Sequence, residues 1–471
     1  MSQKGCKVVL SKLLEAFTFS FCRSDELLNF KLNPNIPFSP RKTPIFYGWV
    51  VLVVGVCGAM ASLPGQTAGV SVFTDSLLAA TGLKRFGLSN AYLAGTLLSG
   101  ALVFRAGRWI DRFGCRVVSM MGVLGLALAL GYMSLAGSFP KGNVVFVFLV
   151  IGIFAIRFFG QGIMTLSARV MLGKWFDKRR GLVSGLYGVF VSLGFSIAPL
   201  FLNVVIDASG GWKEAWRVLG GFLLLVVLPF VWVFFRDSPE SCGLLMDGEE
   251  HSIDSTSESN KAPMLGLESK KAIRTATFWI LTLTLCVHAS MYTGLTFHVV
   301  DIGRLAGLSK EGALQLFPPI ALVGMATGLI GGTLSDKVSI RSLLVVLLIC
   351  QCVGYGSMGW LVVPWIKMLS ILAVGVTSGL YGLLSVAALP KCFGRLHLGS
   401  ISSMQMSALV VASALGPSLL ALSLKVFGSY RAGFVFSAIL PVLILCWLFT
   451  CLLYTSPSPR DATLSRMPSS A

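Results

Sequence analysis

Twelve separate apolar runs, each about long enough to cross a bilayer, constrain this sequence more than any other feature. A hydrocarbon core of about 30 Å takes roughly 20 helical residues, and inside it every backbone N–H and C=O must be paired within the protein. The runs fall near residues 48–70, 88–106, 116–138, 144–168, 182–206, 215–235, 277–299, 313–334, 341–362, 367–389, 400–424 and 432–454. Each run is too long for a strand and too apolar for a surface helix. The expected fold is therefore an all-α membrane protein of twelve transmembrane helices.

The charge pattern fits that reading. Only 12% of residues are charged and 55% are hydrophobic, against about 25% charged in a soluble domain. The net charge of +18 would raise nucleic acid binding in a soluble chain. Here Lys and Arg sit in short clusters between apolar runs, denser in the loops after even-numbered spans, so they set topology. The positive-inside rule then puts those loops and both termini in the cytoplasm. The eleven cysteines are scattered singly through spans and loops and read as small packing residues, with no disulfide or metal framework. No cofactor is expected.

Three segments lie outside the spans. Residues 1–46 hold an amphipathic stretch from Val8 to Phe21 and a stiff connector with Pro34, Pro37, Pro40 and Pro44. Acidic Glu15, Asp25 and Glu26 argue against a transit peptide, and no cleaved signal peptide is read. Residues 237–274 form a polar linker, expected to separate two bundles at 47–236 and 275–454. Residues 455–471 lack apolar periodicity and read as non-native sequence.

The two bundles are expected to be related by an internal repeat. Gly107-Arg-Trp-Ile-Asp111-Arg112-Phe-Gly-Cys-Arg116 follows span two, and Gly332-Thr-Leu-Ser-Asp336-Lys337-Val-Ser-Ile-Arg341 follows span eight. Phe176 and Phe393, after spans four and ten, and Pro199 and Pro417, inside spans five and eleven, recur at nearly the same offset. Two pseudo-symmetric six-helix bundles can rock about a central site and expose it to each side in turn. Gly107, Asp111, Arg112, Arg116, Gly332, Asp336, Lys337 and Arg341 are expected to form latches between them, since a carboxylate is stabilised beside a helix N-terminus. The plainer alternative is that these charges only set topology.

These motifs resemble the signature of the major facilitator superfamily, and Arg157-Phe-Phe-Gly-Gln-Gly162 in span four resembles a second of its motifs. Tyr47-Gly48-Trp49, Trp175-Phe176-x-x-Arg179-Arg180-Gly181, Pro239-Glu240-x-Cys-Gly-Leu-x-x-Asp-Gly248 and Phe393-Gly394-Arg395 are similar to the branch holding monocarboxylate transporters and oxalate/formate antiporters. The resemblance covers about residues 44–454. It implies the major facilitator fold, with spans one, four, seven and ten around a cavity, and a substrate carboxylate. The chain departs from the branch at Gly328, where an arginine is usual in span eight. It also has no lysine inside span eleven, Lys425 lying at the outer end.

Arg157 is the ionisable residue read near mid-span, a costly position that marks a pathway or a specific pair. It either attracts an anion or donates to neighbouring helix carbonyls. Gln161 and Thr165 follow at helical spacing, on one face. Ser62 and Gln66, His288 and Tyr292, and Thr377, Tyr381 and Ser385 make similar stripes in spans one, seven and ten, and Gln66 resembles a substrate-contacting glutamine of oxalate-type members. The alternative for the small polar residues is helix-to-helix gluing. His288 is a candidate for proton coupling or a neutral buried histidine.

No phosphate-cradling G-x-x-x-x-G-K-[ST] loop is present, so an ATP-driven pump is disfavoured. A seven-helix receptor fits neither the span count nor the repeat, and His288 stands alone where a membrane enzyme would want a cluster. The expected function is secondary active transport of a small organic anion, monocarboxylate-like, with a coupling proton or exchange. A carrier of neutral or amphipathic solute and a non-transporting nutrient sensor are the alternatives. The expected partners are the solute and the bilayer, without nucleic acid, and the plasma membrane is favoured over an organelle.

Overall fold

The computed structural model describes residues 32–138, 142–248 and 266–450. The stretch Val8 to Phe21, the middle of the linker and the tail from 455 onward lie outside the described residues. Ten helices among the described residues are long and apolar enough to cross a membrane. One of these carries two crossings, and a shorter broken helix at the start supplies another, which together account for the twelve expected.

The double crossing is Arg85–Met133, 49 residues long, reversed at a single point, Gly114, with φ 87° and ψ 163°. This left-handed backbone favours glycine. A Cβ at Gly114 would also stand 2.2 Å from the Asp237 carboxylate, which accepts from the Arg116 amide at 2.9 Å. Spans two and three are thus joined by a bend rather than by the loop expected from the sequence.

Span one begins as Tyr47–Ala61, passes through a tight 3-10 turn at Leu63–Gly65, and resumes as Thr67–Val72 and Thr74–Thr81. Pro64 has no N–H to continue the helical ladder, so the turn starts beside it. Non-helical backbone at this depth is tolerated only where protein covers it or water reaches it. Here protein covers it: Leu63, Pro64 and Gly65 are all buried.

The cover is span four, which runs from Asn143 to Trp175 over 33 residues, about 50 Å at the usual rise and longer than the 144–168 expected. Its middle, Arg157–Met164, winds as a π-helix, a distortion often found at functional sites. The two backbones meet at glycines. A Cβ on Gly65 would lie 2.3 Å from the Ile156 carbonyl oxygen, and one on Gly160 would lie 2.9 Å from Gly65 Cα.

The later crossings are Arg180–Ala208, Trp212–Phe234, Ala276–Leu305, Lys310–Ser335, Ile340–Trp360, Pro364–Phe393, Leu398–Phe427 and Tyr430–Thr450. Span two packs along span eleven, and span five along span eight. Both seams use small residues, as membrane helices do when backbones approach closely. A Cβ on Gly107 would come within 2.1 Å of Gly399 O, and one on Gly185 within 2.3 Å of Gly328 O. Gly328, where the related branch has an arginine, therefore sits at the crossing of spans five and eight.

The first bundle also holds its own entry segment. Arg116 Nη1 donates to Asn33 O at 3.1 Å and its Nη2 to Ile36 O at 2.7 Å. Arg236 Nη2 donates to Phe38 O at 3.2 Å. Both arginines are buried, at 2% and 0% exposure, and the carbonyls they grip belong to the proline-rich connector.

The contact between spans one and four yields a direct test. Gly65→Ala forces a methyl against the Ile156 carbonyl, and overpacking of this kind typically costs about 1–3 kcal/mol. Thermal unfolding of the purified protein in detergent is expected to show a lower melting temperature. Unchanged melting would contradict the close approach.

Candidate functional site

The first bundle presents a cation and an amide beside the break in span one. Arg157, 1% exposed, donates from Nη1 to Thr67 Oγ1 at 3.1 Å and to Gly65 O at 3.3 Å. Its Cζ lies 5.4 Å from the centre of the Tyr92 ring. Two more of its donors, Nε and Nη2, are buried without a hydrogen-bond partner, as is Gln161 Oε1. Leaving such groups unpaired costs about 1–3 kcal/mol each, more when charged. Gln66 Nε2 bridges Ser62 Oγ at 2.9 Å and Thr165 Oγ1 at 3.2 Å, joining spans one and four just below.

In the second bundle His288 meets Tyr292 and Tyr381, and Tyr355 of span nine joins as an unforeseen fourth member. The Tyr355 hydroxyl and His288 Nδ1 are 2.8 Å apart. The His288 ring centre lies 5.3 Å from Tyr292, nearly parallel at 23°, and 4.5 Å from Tyr381. Thr377 Oγ1 is buried without a hydrogen-bond partner, whereas Ser385 Oγ donates to Gly382 O at 2.8 Å. His298 is engaged elsewhere, at the Pro417 carbonyl, 3.0 Å away.

Between the two faces stands Arg169, which falls one residue beyond the span-four end expected at 168, seven residues short of the true end at Trp175. Its signal was present: it continues the series Arg157, Gln161, Thr165 by another four residues. Arg169 lies beside the hydroxyl groups of Tyr187 in span five and Tyr381 in span ten. Its Nε and the Tyr187 hydroxyl are buried and unpaired, and Nη1 lies 4.0 Å from Met406 Sδ in span eleven. Gly188 and Gly382 touch next to these tyrosines, a Cβ on Gly188 being 3.6 Å from Gly382 Cα. Residues of both bundles thus meet around Arg169.

Nearer the charged loops, the bundles exchange helix caps. Asp111 accepts from Gly399 N at 2.9 Å, Ser400 N at 2.8 Å and Ser400 Oγ at 2.6 Å, at the start of span eleven. Asp336 accepts from Gly181 N at 2.8 Å and Leu182 N at 3.4 Å, at the start of span five. A carboxylate at a helix N-terminus meets unpaired N–H groups and the positive end of the dipole. Gly107 and Gly332 let the backbones approach closely enough, a Cβ on Gly332 falling 2.8 Å from Gly181 O. Arg395 Nη1 donates to Lys174 O at 2.6 Å across the seam, whereas Lys391 Nζ donates to Ser335 O at 3.0 Å within the second bundle.

The other four residues expected in these latches are placed differently. Arg116 holds its own bundle together, and Arg341 lies over Phe449 of the second bundle at 5.8 Å. Arg112 and Lys337 are exposed.

The family model described as Major Facilitator Superfamily matches residues 54–417. This chain belongs to the major facilitator superfamily. The solved Escherichia coli fucose:proton symporter shares its fold, with a TM-score of 0.62 at 12% identity, over 86% of this chain and 98% of that one. A protein of Cupriavidus necator named a probable sulfoacetate transporter is 26% identical over 58% of this chain and 61% of its own length. Monocarboxylate transporter 6 of Mus musculus is 29% identical over 38% of this chain and 36% of its own length. Each of these two sequence matches spans less than two thirds of the relative. The chain is an integral, multi-pass membrane protein of this superfamily.

The reciprocal caps make a prediction for this superfamily member. A cysteine at Ser403, fully buried beside Gly107, should react with a small maleimide at least about tenfold faster once Asp111→Asn is added. Losing one hydrogen bond to a charged group is worth about 1.5–3 kcal/mol, and 1.4 kcal/mol is tenfold. Asp336→Asn should accelerate labelling less, having fewer and longer bonds to lose. Equal rates in all three backgrounds would mean that the carboxylates do not hold the bundles together.

Proposed function

We propose that this chain is a secondary active transporter that moves a small organic anion, monocarboxylate-like, by alternating access. The observation that carries the reading is Arg157: a guanidinium buried at about 27 Å from the Trp175 end of its helix, with two unpaired donors and no carboxylate bonded to it among the described residues. A cation buried in the membrane interior costs several kcal/mol unless a counter-charge arrives. An anionic solute supplies that charge, and the planar fork suits a carboxylate. Relatives named for sulfoacetate and monocarboxylate favour an anion too.

In this reading the bundles 47–236 and 275–454 rock about the site, and the caps of Asp111 and Asp336 hold the form in which the charged-loop end is shut. Those loops and both termini face the cytoplasm, and the plasma membrane is the favoured location. His288 is the candidate for a coupling proton, because its Nδ1 is tied to Tyr355 while the ring faces Tyr381. A neutral-solute carrier remains the second reading, favoured by Gly328 at the span five to eight crossing, where a branch member would add a second cation.

The test is uptake into proteoliposomes, per folded molecule, of labelled monocarboxylates, dicarboxylates and neutral analogues with and without a proton gradient. Arg157→Gln is expected to abolish anion uptake, and Arg157→Lys to retain part of it, since the charge survives without the fork. Normal anion uptake by Arg157→Gln would overturn the anion reading and favour the neutral-solute carrier.

A further inference from the structure

The polar linker between the bundles is docked at both of its described ends, and the two ends converge on one loop. Its start, 237–248, is fastened to the first bundle. Asp247, in a left-handed conformation at φ 57°, accepts from the amides of Asp177, Lys178 and Arg179 at 2.9, 2.7 and 3.2 Å. It thereby caps the loop between spans four and five. The far end is fastened to the second bundle. Leu267 N donates to Phe393 O at 2.8 Å, Gly266 pairs with Gly394 as an isolated antiparallel bridge, and a Cβ on Gly266 would lie 2.8 Å from Leu396 N.

Arg395 stands inside that same loop, between Gly394 and Leu396. Its guanidinium reaches back to the first bundle by two bonds: Nη1 donates to Lys174 O at the end of span four, at 2.6 Å, and Nη2 donates to Glu240 Oε1 in the linker start, at 2.8 Å. The arginine side chain is 13% exposed and the glutamate 36%, and the planar fork lets one head group serve two acceptors at once. The linker therefore acts on Arg395 twice. Its far end holds the backbone of the loop that carries the arginine, and its start supplies the counter-charge.

We propose that the linker is a clasp over the charged-loop end, with Arg395 as its pin, and that it sets how readily the two bundles part there. The proposal rests on the rocking reading above and adds a part that the caps of Asp111 and Asp336 do not supply. A side chain carried on backbone that is already fixed gives up less freedom when it binds. Loosening either end of the linker weakens the same pin, so the two effects are coupled and do not simply add.

The test is maleimide labelling of a cysteine at Ser403 in the purified full chain, followed at the peptide that carries residue 403 and expressed per folded molecule. Glu240→Gln should speed labelling about threefold, as befits a partly exposed ion pair. Arg395→Gln should speed it further, since Lys174 O loses its donor as well, and the double variant should be no faster than Arg395→Gln alone. Leu267→Pro, which removes the donor to Phe393 O, should also speed labelling, and adding Glu240→Gln to it should gain less than threefold. Gly266→Ala strains the same bridge more mildly and takes the place of the proline variant if that one does not fold. Glu268→Gln, which breaks only the exposed pair with Lys271 inside the linker, should leave the rate unchanged. Unchanged labelling in Glu240→Gln, equal acceleration by Glu268→Gln, or independent multiplication of the Glu240→Gln and Leu267→Pro effects overturns the clasp. Asp111→Asn then tells the two ideas apart: faster labelling leaves the rocking reading standing, and an unchanged rate overturns both.

Discussion

Everything at the centre of this molecule depends on one constraint: backbone removed from water must find partners within the protein. Span one interrupts its α-helical ladder at Leu63–Gly65, and the way that rule is still met there shapes the candidate site. Span four presses Gly160 against Gly65, winds through a π turn where the two backbones meet, and donates from Arg157 to the Gly65 carbonyl. The same side chain is thereby fixed under Tyr92 with its remaining donors free. In the proposed transporter, structural repair and solute recognition share one residue, so the two roles kept apart for Arg157 in the sequence are compatible.

The seams between the bundles follow a second rule, that helices in lipid associate through close backbone packing rather than through a hydrophobic effect. Glycines at 107, 181, 185 and 332 allow the approach, and the carboxylates of Asp111 and Asp336 each cap a helix across the seam. The two caps are related by the internal repeat: the second span of one bundle always serves the fifth span of the other. Such contacts are strong only while the geometry holds, because a hydrogen bond weakens steeply once its distance and angle leave a narrow range. A seam built this way can close firmly and still open.

Apolar run length made the crossings legible, and residue offsets made the repeat legible, because both are periodic properties of a single chain. Grouping of the ring residues could also be read, since four-residue spacing in spans seven and ten brings His288, Tyr292 and Tyr381 to interior faces. Three features could not. That the expected turn between spans two and three is a single-residue bend at Gly114, held by Asp237 more than a hundred residues away, is one. Tyr355 follows the buried Gln351 by four residues, the same spacing, but span nine is not among the spans expected to line the cavity. Arg169 looked like a flanking residue because a 25-residue yardstick was laid on a 33-residue helix. The roles of Arg112, Arg116, Lys337 and Arg341 diverge for a similar reason: a motif shows which residues recur, but which of them reach across the seam is decided by side-chain direction in three dimensions.

The grip of Arg116 and Arg236 on the carbonyls of Asn33, Ile36 and Phe38 ties the entry segment to the first bundle at several points along its backbone. In the proposed alternating-access cycle that segment travels as part of the first bundle, like a handle welded to one jaw of a pair of pliers. The Phe38 ring adds to the weld, lying 5.0 Å from Arg236 Cζ and edge-on to Tyr47 and Phe234. Anything attached upstream of Asn33 would turn with one jaw alone, and its angle to the second bundle would register the stroke of the cycle.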